Sequence, residues 1–200
     1  VLAGEVVTMS VDWEHIPAKH RQLIKAFFDE ADMSADAIKT VDFPPAYGAD
    51  IVVSCEKAKD PKNGSIYLKP TQFVLGIGCR RDTAFENIDR AIRQSLLKLQ
   101  IDISDIDMIA SIDVKKDEPG IKEFCERNRI EFVTYTADEL MAVQGEFSAS
   151  QFVREHVGVD NVCERAAVLA CSRECNEAGE LIYKKHKYDR VTVAAARYPD

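Results

Sequence analysis

Hydrophobic and polar positions along the chain change period several times, and each change marks an element. Near the start, EVVTMSV alternates with the two-residue period of a strand and HRQLIKAFF is apolar at helical intervals. ADIVVS and SIYLKP are short apolar strands. DFPPAYG and EKAKDPKNGS lie between them and are loop material by their Pro, Gly, Asn and Asp content. These segments predict a small α/β unit over residues 1–70, and Pro70 with Thr71 forms a short joint into a second unit.

The second unit, residues 73–200, has the cleaner pattern. QFVLGIG predicts a buried strand, followed by a helix with Ile88, Ile92, Leu96 and Leu99 on one face. Thr83 and Glu86 have the spacing of a capping box, which sets the helix start at about Asp82 and Thr83. IDMIASID is the next strand, running to Asp113, and Pro119 suits the first turn of the helix that continues as IKEFCERN. IEFVTYT is a third strand. Thr136 with Glu139 caps ADELMAV, and Asn161 with Glu164 caps VCERAAVLAC. LIYKKHKYDRVTVAAARY predicts two strands around a basic turn, a hairpin on a sheet edge. This alternation of strand and helix predicts an α/β fold: a mostly parallel sheet flanked by helices, with the smaller α/β unit at the N-terminus.

Composition narrows the function classes. A chain of 200 residues with 46% hydrophobic and 30% charged side chains can bury an ordinary globular core. No apolar run approaches the ~20 residues of a membrane span and no basic-then-apolar leader opens the sequence, which predicts a cytoplasmic protein without membrane partners. GEVVTMSV already has strand character at Val1, suggesting a piece of a longer chain. A formal charge of −8 argues against nucleic acid as a partner, because affinity for phosphate backbones comes from Lys and Arg. The cysteines at 55, 79, 125, 163, 171 and 175 are expected to be reduced thiols. Cys171 and Cys175 share a helix face, but no histidine or second cysteine pair accompanies them, so no metal site is expected. The histidines at 15, 20, 156 and 186 show no ligand spacing and are assigned no role.

Candidate chemistry gathers in two loops at the carboxyl ends of strands, where open α/β sheets take their ligands. In GIGCRRDT, Gly76 and Gly78 would let the backbone turn tightly and approach a ligand, and the helix N-terminus beyond offers unpaired N–H groups. Arg80 and Arg81 add two forks matched to carboxylate or phosphate, which makes the loop an anion seat. Cations beside a helix N-terminus cost some tenths of a kcal/mol, roughly, unless a ligand compensates them. The third glycine of a dinucleotide fingerprint is missing and no Walker pattern is present. In SIDVKKDEPG, Lys116 and Asp117 read as an exposed turn, while Lys115 and Glu118 could point back over the sheet end. Cys79 could be a thiol activated by the helix terminus and the arginines, but no histidine is placed in sequence to assist it, which favours packing.

GIGCRRDT, then ASIDVKKDEPG about thirty residues later, then GVDNVCERAAVLA and a closing VTVAAAR strand resemble the CbiG and CobE group of cobalamin biosynthesis. The likeness covers residues 73–197 in order and spacing, and residues 1–70 look like the central portion of CbiG proteins. The motif S-G-H-x-G-G-A-N of the further N-terminal CbiG domain has no match. The resemblance implies a cobalt-precorrin-5A hydrolase, in which water opens a δ-lactone on a corrinoid precursor and acetaldehyde leaves. Its substrate would be a small tetrapyrrole carrying cobalt, no cofactor would be needed, and other cobalamin-pathway enzymes would be its partners. Arg80, Arg81, Ser111 and the amides of Gly76, Gly78 and Cys79 would then hold the substrate's carboxylates. Asp113 or Glu118 could be the base that activates water, and Lys115 or an arginine the oxyanion partner. The alternatives are a non-catalytic corrinoid carrier of the CobE type and an α/β domain whose arginines contact an acidic protein.

Overall fold

The computed structural model describes residues 6–30, 38–43, 49–55, 65–148, 158–175 and 179–199. The chain divides into two compact units, Val1–Thr71 and Gln72–Pro199.

Unit 1 is a four-stranded parallel sheet of β1 (Val7–Val11), β2 (Ile38–Val41), β3 (Ile51–Val53) and β4 (Ile66–Leu68), in the order β2-β1-β3-β4, with helix α1 (Ala18–Glu30) between the first two strands. Met9, Val11, Ile16 and Val53 are its buried apolar cluster. The hydrophobic pattern does not announce β2, because IKTV has apolar residues only at its ends and exposes Lys39 and Thr40. Pairing with β1, from Val7↔Ile38 to Ser10↔Val41, makes it a strand. Most of DFPPAYG and EKAKDPKNGS lies outside the described residues.

Unit 2 is a five-stranded sheet in the order β7-β6-β5-β9-β8. β5 (Phe73–Cys79), β6 (Ile106–Ile112) and β7 (Glu131–Tyr135) are parallel, and the hairpin of β8 (Glu180–Lys187) and β9 (Val191–Arg197) joins β5 antiparallel. The hairpin lies at the sheet edge as expected: β8 is the outermost strand on that side, and β9 pairs with β5 along its whole length, from Phe73↔Arg197 to Cys79↔Val191. The reason lies in VTVAAAR, whose Ala194, Ala195 and Ala196 are fully buried and leave room for helices above and below.

Alternation along β5 sends Leu75 and Ile77 to one face, where α2 (Phe85–Leu99) and α3 (Pro119–Asn128) bury Ile88, Ile92, Ile121 and Phe124 against them. Val74 faces the other layer, formed by α4 (Ala137–Ala142) and α5 (Val162–Cys175). Gly76 lies under α5 so tightly that a Cβ there would come 1.7 Å from the carbonyl oxygen of Cys163. Pro119 takes the first turn of α3, and Thr136 with Glu139 forms the expected reciprocal cap of α4. The box expected at Thr83 and Glu86 does not form. The cap position of α2 is Ala84, and the Thr83 hydroxyl instead donates to the Arg80 carbonyl at 2.6 Å.

Candidate functional site

At the carboxyl ends of β5 and β6, the first turn of α5 and the β8–β9 hairpin border a cleft of about 470 Å³. Five cations line it, Arg80, Lys115, Lys185, Lys187 and Arg190. Ile112, Val114, Val162, Val191 and the ring of Tyr188 supply its apolar walls. Among the described residues that line it there is no Asp, Glu or His. In a chain of net charge −8 this is a local reversal of sign, suited to an anionic ligand with an apolar body.

Buried groups hold the cations in place. Glu164 on α5 is fully buried, and its carboxylate accepts hydrogen bonds from Ser148 N (2.8 Å), Ser148 Oγ (2.8 Å) and Lys185 N (2.6 Å). Burial pushes this carboxyl group up, but the backbone donors of Lys185 and Ser148 outweigh it and hold the group below the usual carboxylate range. Lys185 is thereby fixed at its backbone, and its Nζ donates to the Ser148 carbonyl at 3.2 Å. Asn161 caps α5 through Oδ1, which accepts Glu164 N at 3.0 Å, and its Nδ2 donates to Ser148 O at 2.9 Å. Only half of the expected Asn161–Glu164 box exists, because the Glu164 side chain serves Ser148 and Lys185 instead. Tyr188 shares its hydroxyl with Ser95 Oγ (2.9 Å) and Tyr183 (3.2 Å), which sets the orientation of its ring.

The residues anticipated from sequence fall into three groups. Gly78, Cys79, Arg80 and Lys115 line the cleft. Gly76, Ser111, Arg81 and Asp113 are not among its lining residues. Gly76 is needed for the close approach of α5, and Ser111 is fully buried with its hydroxyl donating to the Ile77 carbonyl at 2.7 Å. Arg81 is exposed, and its carbonyl accepts a hydrogen bond from Arg190 Nη2 at 2.9 Å. Asp113 opens a short 3-10 turn, Asp113–Lys115. The glycines do not make the turn either. Gly76↔Ala194 and Gly78↔Thr192 are strand pairs, and the chain reverses at Arg81 and Asp82, the latter in the left-handed region with φ 55°. Burial pushes the Cys79 thiol up to about 11 despite the nearby Lys115 cation, so it is not an activated nucleophile.

Glu118 forms the third group. Its carboxylate is buried, with Oε1 accepting Thr83 N at 3.0 Å and Oε2 accepting Lys115 Nζ at 2.9 Å. Just before α2 the Thr83 N–H therefore meets the protein's own carboxylate, and none of the Gly76, Gly78 and Cys79 amides or the Arg80 and Arg81 side chains is its partner. Glu118 positions Lys115 at the cleft wall. Sequence reasoning missed Lys185, Lys187, Tyr188 and Arg190, although KKHKYDR was legible as a basic turn. Among the described residues, no group of three or more His, Cys, Asp or Glu side chains is arranged to hold a metal ion.

Residues 73–196 match the family described as cobalamin synthesis G C-terminus. The cobalt-precorrin-5A hydrolase of Salmonella typhimurium is 38% identical over 102 residues, which cover 51% of this chain and 29% of that protein. The chain spans 29%, 35% and 42% of three curated relatives of that kind, less than half of each. The crystal structure of CobE, a protein from the cobalamin biosynthetic pathway, superposes with a TM-score of 0.59 at 26% identity, covering 62% of this chain and 89% of CobE. A cobalamin biosynthesis protein G homologue from Sulfolobus solfataricus has the same fold over 96% of this chain and 51% of its own, with a TM-score of 0.51 at 18% identity.

Proposed function

The chain belongs to the cobalamin synthesis G C-terminus family, and on that premise we propose that it is the corrinoid-binding part of a cobalt-precorrin-5A hydrolase. The observation that carries this reading is the cleft, which has five cations and no carboxylate among its described lining residues. A corrinoid precursor carries acetate and propionate groups around an extended ring. Arg80 and Arg190 offer planar forks to those carboxylates, and Lys185 and Lys187 offer point charges. Val114, 67% exposed, and the ring of Tyr188 would meet the apolar body of the macrocycle. Cobalt would arrive inside the substrate.

In the hydrolase reading, Lys115 is the oxyanion partner. Its side chain is only 13% exposed, and Glu118 holds the ammonium at the cleft, so little reorganisation is needed as charge develops on the lactone oxygen. Glu118 acts through Lys115 rather than as the base, since both of its oxygens are engaged. The lack of a carboxylate or imidazole among the described lining residues favours a second reading, a non-catalytic carrier like CobE. Either protein would work in the cytoplasm and exchange its tetrapyrrole with other enzymes of the pathway. No helix among the described residues is long and apolar enough to cross a membrane.

Titration with a cobalt-corrinoid, followed in the visible spectrum, tests the shared part of both readings. Arg80→Ala should weaken binding by ~1.5–3 kcal/mol, the range of a charge-assisted hydrogen bond, whereas Arg81→Ala, outside the cleft, should leave affinity within ~0.5 kcal/mol. Equal effects of the two substitutions, or no spectral change with the wild-type chain, would sink the cleft assignment. Release of acetaldehyde from cobalt-precorrin-5A then separates hydrolase from carrier.

A further inference from the structure

The sheet of unit 2 ends in two unlike edges. β8, at one end, is broken by register shifts between Leu181 and Tyr183 and between Tyr183 and His186, carries Lys184, Lys185 and Lys187, and gives the Lys185 N–H to Glu164. Bulges and lysines are devices by which natural proteins keep an edge from pairing with another chain. β7, at the other end, has none of them. Its residues, EFVTY, pair with β6 without a shift from Met108↔Glu131 to Ile112↔Tyr135, and include neither lysine nor proline. Among the described residues, no group hydrogen-bonds to its outer edge.

Between α3 and this edge lies a groove of about 420 Å³. Its apolar lining includes Ile130 and Phe132, both half-buried against the core under α2 and α3. Its cations are Lys116, Lys122 and Arg129, all exposed, against one carboxylate, Glu126, among the described lining residues. Lys122 has a loose partner in the exposed Asp117, 3.9 Å away. The groove shares no described lining residue with the cation-lined cleft.

We propose that β7 and this groove dock an acidic, extended segment of a partner protein, which adds to the sheet as a further strand. Main-chain hydrogen bonds to the outer edge of β7 give affinity, and side chains on alternate residues give specificity. Every second side chain of the incoming strand falls on the α3 side. There, carboxylates meet Lys116, Lys122 and Arg129, and an apolar side chain meets Phe132 and Ile130. Three cations against one carboxylate select an acidic segment over a basic one. A second copy of this chain fits poorly. An antiparallel pair of β7 strands, related by a two-fold axis normal to the sheet, sets both grooves on one face with cations toward cations. The docking edge does not rest on the corrinoid reading, since it uses none of the cleft.

The test titrates the chain with a capped peptide alternating Glu and Val, long enough to span β7, and follows the backbone amides by nitrogen-15 NMR. Binding is expected to shift the amides of Glu131 to Thr134 and to weaken as ionic strength rises. Lys116→Glu combined with Arg129→Glu should weaken it at least ~10-fold, because two attractions become repulsions. The unfolding midpoint should stay unchanged, since both side chains are exposed. The same peptide methylated at its backbone nitrogens cannot complete the strand pairing and should also lose at least ~10-fold. Arg80→Ala, in the cleft, should leave peptide affinity unchanged. No amide shift at β7, equal affinity for a peptide alternating Lys and Val, or full affinity of the methylated peptide or of the double variant would each overturn the proposal. So would concentration-dependent broadening of the β7 amides without peptide, which assigns the edge to a second copy.

Discussion

In unit 2 the residue before the cap of α2, Thr83, gives its N–H to the protein's own buried carboxylate, whereas the first turn of α5 borders the cleft. Both helices begin at the same end of the sheet, and both present unpaired N–H groups that attract an anion. At α2 the residues just before the helix give Thr83 N to Glu118, and Gly120 packs so closely that a Cβ there would come 2.3 Å from the Thr83 carbonyl. At α5, Asn161, Val162 and Cys163 line the cleft together with Lys185, Lys187 and Arg190. The two starts differ in what the fold sets beside them: a buried carboxylate just before α2, and an asparagine cap next to a cation-lined cleft at α5.

The largest expected effect breaks the packing that brings α5 to the cleft. Gly76→Ala places a methyl group 1.7 Å from the Cys163 carbonyl oxygen, with backbone on both sides and nothing free to rotate. A loss of at least ~4 kcal/mol is expected in urea unfolding, in the class reserved for severe core disruption. Gly78→Ala meets only the Thr192 hydroxyl, at 2.7 Å, and that side chain can turn away, so its cost should be well below that of Gly76→Ala. Equal costs would mean that α5 does not seat on β5 as described.

Next comes the carboxylate just before α2. Glu118→Ala strands the Lys115 ammonium and the Thr83 N–H, both tied to that carboxylate, and should destabilise the unit by ~3 kcal/mol, the low end for breaking a buried pair. A variant that keeps its unfolding midpoint would show that the carboxylate is not the structural counter-charge and would return Glu118 to the candidates for the base.

Smallest in energy is the response of Cys79, between the two helix starts. Its thiol is raised to about 11, chiefly by burial, so the protonated form dominates below that pH and the thiolate gains only as pH rises toward it. Alkylation by iodoacetamide should therefore be slow at pH 8 and accelerate by about tenfold per pH unit up to that value. Rapid labelling at neutral pH would mean that the start of α2 still exerts an unpaired positive field.

How much was legible follows from the range of the forces involved. Strands β5, β6 and β7, the apolar face of α2, Pro119 at the start of α3 and the Thr136–Glu139 cap are written in local pattern, since each needs only neighbours within one or two turns. Arg80 and Lys115 were legible as cleft cations because they follow strand ends.

The sequence by itself determined the α/β class and a family resemblance carried by GIGCRRDT and ASIDVKKDEPG. Tertiary structure alone decided that β9 enters between β5 and β8, because three consecutive alanines read as weak strand material yet allow a close-packed interior. That insertion brings Arg190 against the residues around Arg81, 109 positions earlier, and turns a basic hairpin into one wall of the cleft. It also decided which helix start borders the cleft, since the Glu118 carboxylate and the glycines at 76 and 120 act only once distant backbones come within van der Waals range. Hydrophobic period reports local burial, but the partner of a buried surface is chosen by long-range fit of shape and charge.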